Sequence, residues 1–393
     1  MPPLSPIAPF EALLAAALVA LSSSGVVHRY LGPVALGAYL VGVAAVALWF
    51  WRSADRLDLR VSPRAVRVSL VVLAIVFVVA FVLVYPMAQS GVLGVGSDRD
   101  DALDAGLAAL ARGEYPYYQR TYLGNELTPL PGAFLLALPA WALGASALQN
   151  LMWLPLLLLF AYRWFDSKLV GLAFVAAFAV FNPAALQDLL TGGDYFVNAA
   201  YVLMTVTLAQ RAAQQPIAPG PEAQAATRVV GPLVLLGIAV CSRSAYIVVP
   251  VALAAALWRT SGEARALGAL TLVAAVVVAL TLPFLLIDAA AFSPLHHSLA
   301  KVDRMFPHGT LVLGSASLVT ALWAGRRVRT EGDLLGAIGL ALATAFVPLL
   351  LWRMIAGGYL ELSAAATPVS LFGGAFLAKR LDARVTGSSI GRG

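Results

Sequence analysis

The feature that most constrains this chain is a series of long apolar runs that charged residues scarcely interrupt. The segments at 66–85 and 266–287 are each long enough to cross a hydrocarbon core, which takes about 20 helical residues. Hydrophobic residues make up 61% of the chain and charged residues 12%, against about 45–50% and about 25% in soluble domains. These figures exclude a soluble enzyme, a disordered chain and a coiled coil. They favour an all-α, polytopic membrane protein over an outer-membrane barrel, whose strands give short alternating segments.

The hydropathy pattern predicts about twelve membrane-spanning helices. They lie at 7–23, 34–51, 67–86, 146–162, 169–182, 195–210, 229–242, 245–258, 266–287, 309–324, 334–353 and 361–378. The segment at 127–143 is also apolar, but it holds Pro129, Pro131 and Pro139, and each proline removes a backbone donor. We therefore expect this segment to be interfacial or re-entrant.

The distribution of basic residues supports this threading. With both termini inside, the cytoplasmic segments hold 18 of the 26 Lys and Arg residues, as the positive-inside rule requires. The net charge of +6 follows from these loops and does not indicate nucleic-acid binding. No cytoplasmic loop is long enough for a nucleotide-binding domain, and no GxxxxGK[ST] sequence occurs, which argues against an ATP-driven pump.

The longest outer segment is 87–145, and most acidic residues fall on its side of the membrane. The pattern at 97–113 predicts a short amphipathic helix in the membrane interface, with Ser97 as its N-cap. Asp100 and Asp101 have a sufficient structural role there, because acids at a helix start favour the helix dipole. Asp98 lies nearest the end of the preceding span, where a partly desolvated carboxylate suits a general base. We predict Asp98 as the catalytic base, with Asp100 or Asp101 as alternatives.

Four tyrosines and Arg120 follow this helix within a few residues. One interpretation is a surface that stacks on a sugar or an amphiphilic head group through Tyr117, Tyr118 and Arg120. The other is an aromatic belt at the membrane interface. The sequence leaves both open.

Asp98 is followed by Gly113, by Pro116-Tyr117 and by a proline-rich run at 128–131. This order resembles the first outer loop of the GT-C superfamily, which comprises integral-membrane glycosyltransferases that use polyprenyl-phosphate sugars. The resemblance is greatest to the bacterial subgroup of mannosyl- and arabinosyl-type transferases. It implies a GT-C-like fold with interfacial helices in the first large outer loop and an Asp base.

The resemblance also divides the chain into three parts. Two extra N-terminal transmembrane helices occupy 1–66, the GT-C-like catalytic module with outer loop 87–145 occupies 67–258, and C-terminal helices occupy 259–393. The extra helices depart from the family pattern, in which the first helix would correspond to the third span here.

Two further outer positions follow from the family pattern. Gly193-Asp194 stands where GT-C proteins often place a glycine and a polar residue, and Asp194 would orient a sugar hydroxyl or help to hold a cation. The alternative for Asp194 is an N-cap. Arg243 lies in the turn between two spans, where a cation is costly and usually has an anionic partner. We predict that it contacts the donor phosphate, with snorkelling to lipid head groups as the alternative.

The remaining outer cations lie in the loop at 288–308. On a helix, His297, Lys301 and Arg304 would share one face, which suits a phosphate or a lipid head group. The loop has few carboxylates, so no metal site is predicted, although a divalent cation stays open as a cofactor. Tyr359, on the last outer segment, completes the predicted substrate-binding residues.

The sequence thus predicts an inverting glycosyltransferase with its active site on the outer side of a bacterial plasma membrane. Its donor would be a polyprenyl-phosphate sugar, its acceptor a lipid, glycan or protein, and its other partners membrane lipids. A transporter or flippase is the alternative from another class, but paired inverted repeats are not visible and the polar residues gather at one surface. A non-catalytic partner of another membrane enzyme also stays open.

Overall fold

In a computed structural model, the chain folds almost entirely into helices. The structure describes residues 9–53, 61–92, 98–215, 222–357 and 367–390, and within these ranges it contains no β-strand. The α-helices are α1 (Pro9–Ser53), α2 (Pro63–Gln89), α3 (Arg99–Ala111), α4 (Pro131–Ala142), α5 (Gln149–Trp164), α6 (Lys168–Phe181), α7 (Pro183–Leu190), α8 (Tyr195–Gln214), α9 (Glu222–Val240), α10 (Val248–Ser261), α11 (Glu263–Asp288), α12 (Ser293–Met305), α13 (Gly309–Gly325), α14 (Glu331–Gly357) and α15 (Thr367–Ile390).

Several of these helices could cross a membrane by length and composition. Five pass alone, at Ser22–Trp49, Pro63–Gln89, Ser244–Ser261, Glu263–Asp288 and Glu331–Trp352. The pairs α4–α5 and α6–α7 pass only as bent units, with bends of 89° and 77°. The described residues therefore hold five to seven candidate spans, fewer than the twelve that hydropathy predicts, because several helices are short or partly polar.

Helix α1 comprises two helices that meet at a kink, where two were predicted at 7–23 and 34–51, with residues 7 and 8 outside the described part of the chain. The kink lies at Gly32, where φ is 82° and ψ is 177°, so the first helix extends beyond its predicted end. Pro33 follows directly, and a proline disfavours helical geometry in the residue before it. Glycine adopts positive φ at little cost, so the chain bends there.

Helix α7 lies in a segment for which the sequence analysis predicted no helix. Asn182 caps it by accepting a hydrogen bond from the Ala185 N–H at 3.1 Å, and Pro183 occupies its first turn. This short helix carries the chain from α6 to the turn before α8, and it delivers Asp188 and Asp194 to the candidate site described below.

One hydrophobic core joins the predicted catalytic module to the C-terminal helices. It includes side chains from Val66 in α2 to Leu381 in α15. Helix α1 packs against α7 and α15. A second, smaller core lies under the first outer loop and holds Tyr115, Tyr117 and Phe292. Helix α3 rests on it through Leu103 and Leu107, whereas Leu110, one turn further on, is 37% exposed.

Candidate functional site

Five charged side chains from distant parts of the chain meet where α3, α7, α8 and the turn after α9 converge. We call them the carboxylate–arginine cluster, and its members are Arg99, Asp100, Asp188, Asp194 and Arg243. Arg99 pairs with Asp188, and Arg243 pairs with Asp194 at 2.5 Å. The side chains of both aspartates in these pairs are fully buried, whereas those of Arg99 and Arg243 keep 27% and 13% exposure.

The aromatic ring of Tyr195 joins the two ion pairs. The guanidinium carbons of Arg99 and Arg243 lie 4.2 Å and 5.3 Å from its ring centroid. Such cation–π contacts orient guanidinium groups and strengthen when water is excluded. The ring therefore holds two cations, from residues 144 positions apart in sequence, beside one another.

The Gly192-Gly193 turn makes room for Asp100, the third carboxylate of the cluster. Gly192 has a φ of +84°, which disfavours any other residue, and a Cβ there would collide with Tyr85 and the Asp100 carboxylate. A Cβ on Gly193 would collide with the Asp188 carboxylate. The two glycines thus let Asp100 and Asp188 approach the turn closely.

Asp100 is the carboxylate without an arginine partner. It is 2% exposed, and its Oδ2 accepts hydrogen bonds from the Tyr85 hydroxyl at 2.9 Å and the Gln89 amide at 2.6 Å. The structure gives it no salt bridge within the described residues. Burial raises the pKa of Asp100 to about 6, because the charged form loses its hydration. Such a carboxylate is ionised near pH 7 and is a stronger base than an ordinary Asp.

Several buried polar atoms of the site have no hydrogen-bond partner among the described residues. They are Asp100 Oδ1, Asp194 Oδ1, Arg243 Nε and, next to the glycine turn, Asn150 Oδ1. Buried polar groups are nearly always paired with protein or water. Their concentration around one turn indicates a place where a polar ligand or ordered water would bind.

Asp98, the predicted base, lies beside the cluster and has a structural role. It occupies the N-cap position of α3 without a side-chain cap bond. Its Oδ2 accepts from the Thr121 hydroxyl at 2.7 Å and the Asn125 amide at 2.8 Å. Partial burial acts to raise the pKa of Asp98, but the hydrogen bonds from Asn125 and Thr121 outweigh it and lower the pKa below its usual value. Asp98 is thus a weaker base than the sequence analysis expected.

Asp100 and Asp101, predicted as helix-start residues or alternative bases, lie in the first turn of α3 and also make tertiary contacts. Asp100 binds Tyr85 and Gln89 of α2, as described. Asp101 accepts a hydrogen bond from the Tyr122 N–H at 2.6 Å. Ser97, the predicted N-cap, lies outside the described residues.

The predicted sugar-binding residues Tyr117, Tyr118 and Arg120 divide into two kinds. Tyr117 is buried and donates to the Pro129 carbonyl at 3.0 Å, so its ring is not free for stacking. The Arg120 side chain donates to the Gly124 carbonyl at 3.0 Å and pairs with Glu126 at 3.5 Å, but it is 62% exposed and can still contact a ligand. Tyr118 is 61% exposed and donates to Asp288 at 3.0 Å. It remains available to a ligand.

The contacts of Arg243 and Asp194 bear on the alternatives that were left open. Arg243 binds Asp194 and the Thr128 hydroxyl, the latter at 2.9 Å, so its anionic partner is within the protein. Asp194 occupies the N-cap position of α8 but makes no side-chain cap bond. It accepts instead from Arg243 and from the Asn198 amide. These contacts favour a positioning role for Asp194 over a capping role.

The predicted cationic face at 297–304 lies on helix α12, as expected for a shared face. The side chains of His297 and Lys301 lie outside what the structure describes, as does Tyr359. Arg304 is exposed and donates to the Ala300 carbonyl at 3.2 Å. Helix α12 packs mainly against α13 and α14, so the structure does not bring Arg304 to the carboxylate–arginine cluster.

The sequence analysis missed Arg99, Asp188, Tyr195, Tyr85 and Gln89. The sequence offered one signal for Arg99, since it is the single cation among the four aspartates of 98–104. Among the residues described, no group of three or more His, Cys, Asp or Glu side chains has an arrangement that could hold a metal ion.

Chemically, the arrangement combines a carboxylate of raised pKa with two guanidinium groups that can stabilise a developing anion. Comparison with protein-family models, with curated proteins and with solved structures found no match to this chain. The resemblance to GT-C glycosyltransferases therefore stays a prediction, and the functional argument rests on the site itself.

Proposed function

We propose that the protein is an integral-membrane inverting glycosyltransferase of GT-C type. It moves a hexose or pentose from a polyprenyl-phosphate donor to an acceptor on the outer side of a bacterial plasma membrane. The observation that carries this proposal is the carboxylate–arginine cluster, in which buried, incompletely paired charges gather at one end of an apolar helical bundle. Such groups inside or beside a membrane are costly, and they usually mark functional sites.

We assign the proton acceptor to Asp100, with Asp98 second. The acceptor hydroxyl loses its proton to the carboxylate as its oxygen attacks the anomeric carbon of the sugar. The bond from that carbon to the phosphate oxygen breaks, and its electron pair leaves with the phosphate. The raised pKa of Asp100 supports this role, because a general base works best with a pKa near the working pH.

Arg99 and Arg243 would stabilise the departing polyprenyl phosphate. Both guanidinium groups keep some exposure, and both are fixed by an aspartate and by the Tyr195 ring. Groups that are fixed before the reaction stabilise developing charge without paying for reorganisation. Asp188 and Asp194 would act as positioning residues for the two cations.

The proposal includes the predicted topology of about twelve spans with both termini in the cytoplasm. It is supported by the excess of Lys and Arg on one side. A reporter fused after residue 215 should be cytoplasmic, and one inserted near residue 300 should be outside. The opposite result at both positions would place the cluster on the cytoplasmic side and refute this topology.

A transfer assay tests the activity directly. Membranes from cells that overproduce the wild-type chain or Asp100→Asn are supplied with a panel of radiolabelled polyprenyl-phosphate sugars. We expect one donor to be consumed by the wild type and not by the variant at equal expression. If no donor in a panel of common hexoses and pentoses is consumed above background, the glycosyltransferase proposal fails.

A further inference from the structure

The tip of the tight turn at 120–126 carries an aromatic side chain that the proposed mechanism does not use. Tyr122 is 60% exposed and its neighbour Leu123 is 43% exposed. Tyrosine is enriched at binding surfaces, because its ring presents an apolar face and its hydroxyl a polar tip.

Hydrogen bonds fix this turn in place. The Thr121 N–H donates to the Asn125 carbonyl at 2.9 Å, and the Gly124 N–H donates to the Thr121 carbonyl at 2.7 Å. Asp98 and Asp101 then tether the turn to the start of α3 through Thr121, Asn125 and the Tyr122 N–H. The Tyr122 backbone is therefore held before any ligand arrives, which lowers the entropic cost of binding.

The surroundings of Tyr122 are acidic. Partial burial raises the pKa of its phenol, and so do the nearby carboxylates of Asp98, Asp100 and Asp101. Asp98 and Asp101 are half-buried, and the hydrogen bonds that they accept from Thr121, Asn125 and the Tyr122 N–H all go to their Oδ2 atoms. Carboxylates so close to the ring would be costly to place in hydrocarbon, so this tip faces water rather than lipid tails.

We propose that Tyr122, Asp98 and Asp101 form a binding site for a neutral saccharide, which is the acceptor of the proposed transferase. Only the identification of this saccharide as the acceptor rests on the proposed function. The binding site itself is inferred from the contacts given above. The ring offers an apolar face to the C–H groups of a sugar, and the open carboxylate oxygens accept hydrogen bonds from its hydroxyls. The same carboxylates repel an anionic ligand.

The Tyr122 site and the carboxylate–arginine cluster differ in charge. In the cluster, Arg99 and Arg243 suit the phosphate of the donor, whereas the acidic Tyr122 site suits an uncharged acceptor. Asp100 lies between the two, since it touches the glycine turn and its neighbour Asp101 accepts a hydrogen bond from the Tyr122 N–H at 2.6 Å. A proton acceptor at that position lies where the two substrates would meet.

A glycan-binding measurement tests this site without requiring turnover. Purified protein in detergent is applied to an array of neutral and anionic oligosaccharides, and the affinity for the best ligand is then measured for Tyr122→Ala, Tyr122→Phe and Leu123→Ala. We expect a neutral saccharide to bind, Tyr122→Ala to bind it about fivefold more weakly or worse, and Tyr122→Phe to bind within about twofold of wild type. Leu123→Ala, which alters the same tip, is the control and should bind as wild type does.

The inference would be overturned by no saccharide binding, by equal binding in wild type and Tyr122→Ala, or by a preference for anionic glycans. A separate measurement of binding to phospholipid vesicles tests whether the tip contacts a membrane. If Tyr122→Ala and Leu123→Ala weaken vesicle binding alike, the tip is a membrane contact and the inference fails. Saccharide binding without sugar transfer from any polyprenyl-phosphate donor would refute the proposed function and leave this site standing.

Discussion

Two regions of the molecule bury charged side chains, and they satisfy them differently. The first is the carboxylate–arginine cluster. The second, which we call the Glu331–Asp382 network, joins α14 and α15 to the α5–α6 turn and to Arg211. Glu331 accepts from Arg211, with one bond at 2.9 Å, and from the Trp164 indole at 2.9 Å. Asp382 accepts from two backbone N–H groups, of Asp166 and Ser167, and from Lys379.

In the Glu331–Asp382 network, each carboxylate has a cation and further donors. Neither Glu331 nor Asp382 has a buried oxygen without a partner. In the carboxylate–arginine cluster, three carboxylates face two arginines, and Asp100, Asp194 and Arg243 each keep an unpaired buried atom. The comparison teaches that burial of charge alone does not distinguish a structural network from a reactive site. Incomplete pairing of the buried charges supports the proposal of a ligand site in the cluster, because unpaired groups are costly to stability unless a ligand or water completes them.

The largest effect that would sharpen this comparison is expected for Asp100→Asn. The amide keeps the size of the side chain but cannot take up the proton, so turnover should fall by about 100-fold or more. Folding should not suffer, because the substitution removes a buried charge that has no cation partner. Transfer rates per amount of folded protein would check this. Near-normal turnover with a normal melting curve would remove Asp100 from the chemistry.

Arg243→Ala should have the next largest effect. It removes a cation that is proposed to stabilise the leaving phosphate, and a hydrogen bond to a charged group contributes about 1.5–3 kcal/mol, or roughly tenfold to 100-fold in kcat/KM for the donor. Arg211→Ala is the control, since Arg211 also pairs with a carboxylate, that of the half-buried Glu331, but lies in the other network. An equal loss of kcat/KM in both variants would show that the effect is structural.

Asp98→Asn should affect turnover less than tenfold. Its lowered pKa makes Asp98 a poor base near pH 7, but its contacts with Thr121 and Asn125 help to place the Tyr122 turn. We therefore expect the KM for the acceptor to change more than kcat. A loss of kcat that exceeds the loss in Asp100→Asn would return the role of base to Asp98.

Asp382→Asn should leave turnover almost unchanged. It replaces a fully paired carboxylate with an amide that cannot accept all three hydrogen bonds, which should destabilise the fold by about 2 kcal/mol. A lower melting temperature with an unchanged kcat is the expected pair of results. A large fall in kcat of the folded variant would remove the distinction between the two regions.

Much of the fold could be predicted from the sequence, and particular residues explain why. Apolar runs such as 266–287 specify a helix because every backbone polar group in such a run must be satisfied internally, and α11 occupies that segment. Helix α7 was missed because it is only two turns long and lies between two turn signals, Asn182-Pro183 and Gly192-Gly193. The break in α1 at Gly32 is explained by the Gly-Pro pair, and it falls in the connection between the helices predicted at 7–23 and 34–51.

The candidate site could be predicted only in part. Charged residues between the apolar segments indicated where the site lies, at the start of α3 and at the turns near Asp194 and Arg243. The pairing of Arg99 with Asp188, 89 residues away, does not, because helix packing decides which charges meet. The pKa of Asp100 also depends on its burial under α2, where Tyr85 and Gln89 contact it. Local sequence therefore favoured Asp98, whereas tertiary structure favours Asp100.

The measurement that tests the central claim most directly is the dependence of kcat/KM on pH, which reports the ionisation of the free enzyme. Because burial raises the pKa of Asp100 to about 6, the base is ionised above that pH and protonated below it. We predict a kcat/KM that is constant above about pH 7, half-maximal near pH 6 and about tenfold lower for each further pH unit. A kcat/KM that stays constant down to pH 4.5 in a protein that remains folded would contradict the assignment, because the base would then be a carboxylate of lowered pKa such as Asp98.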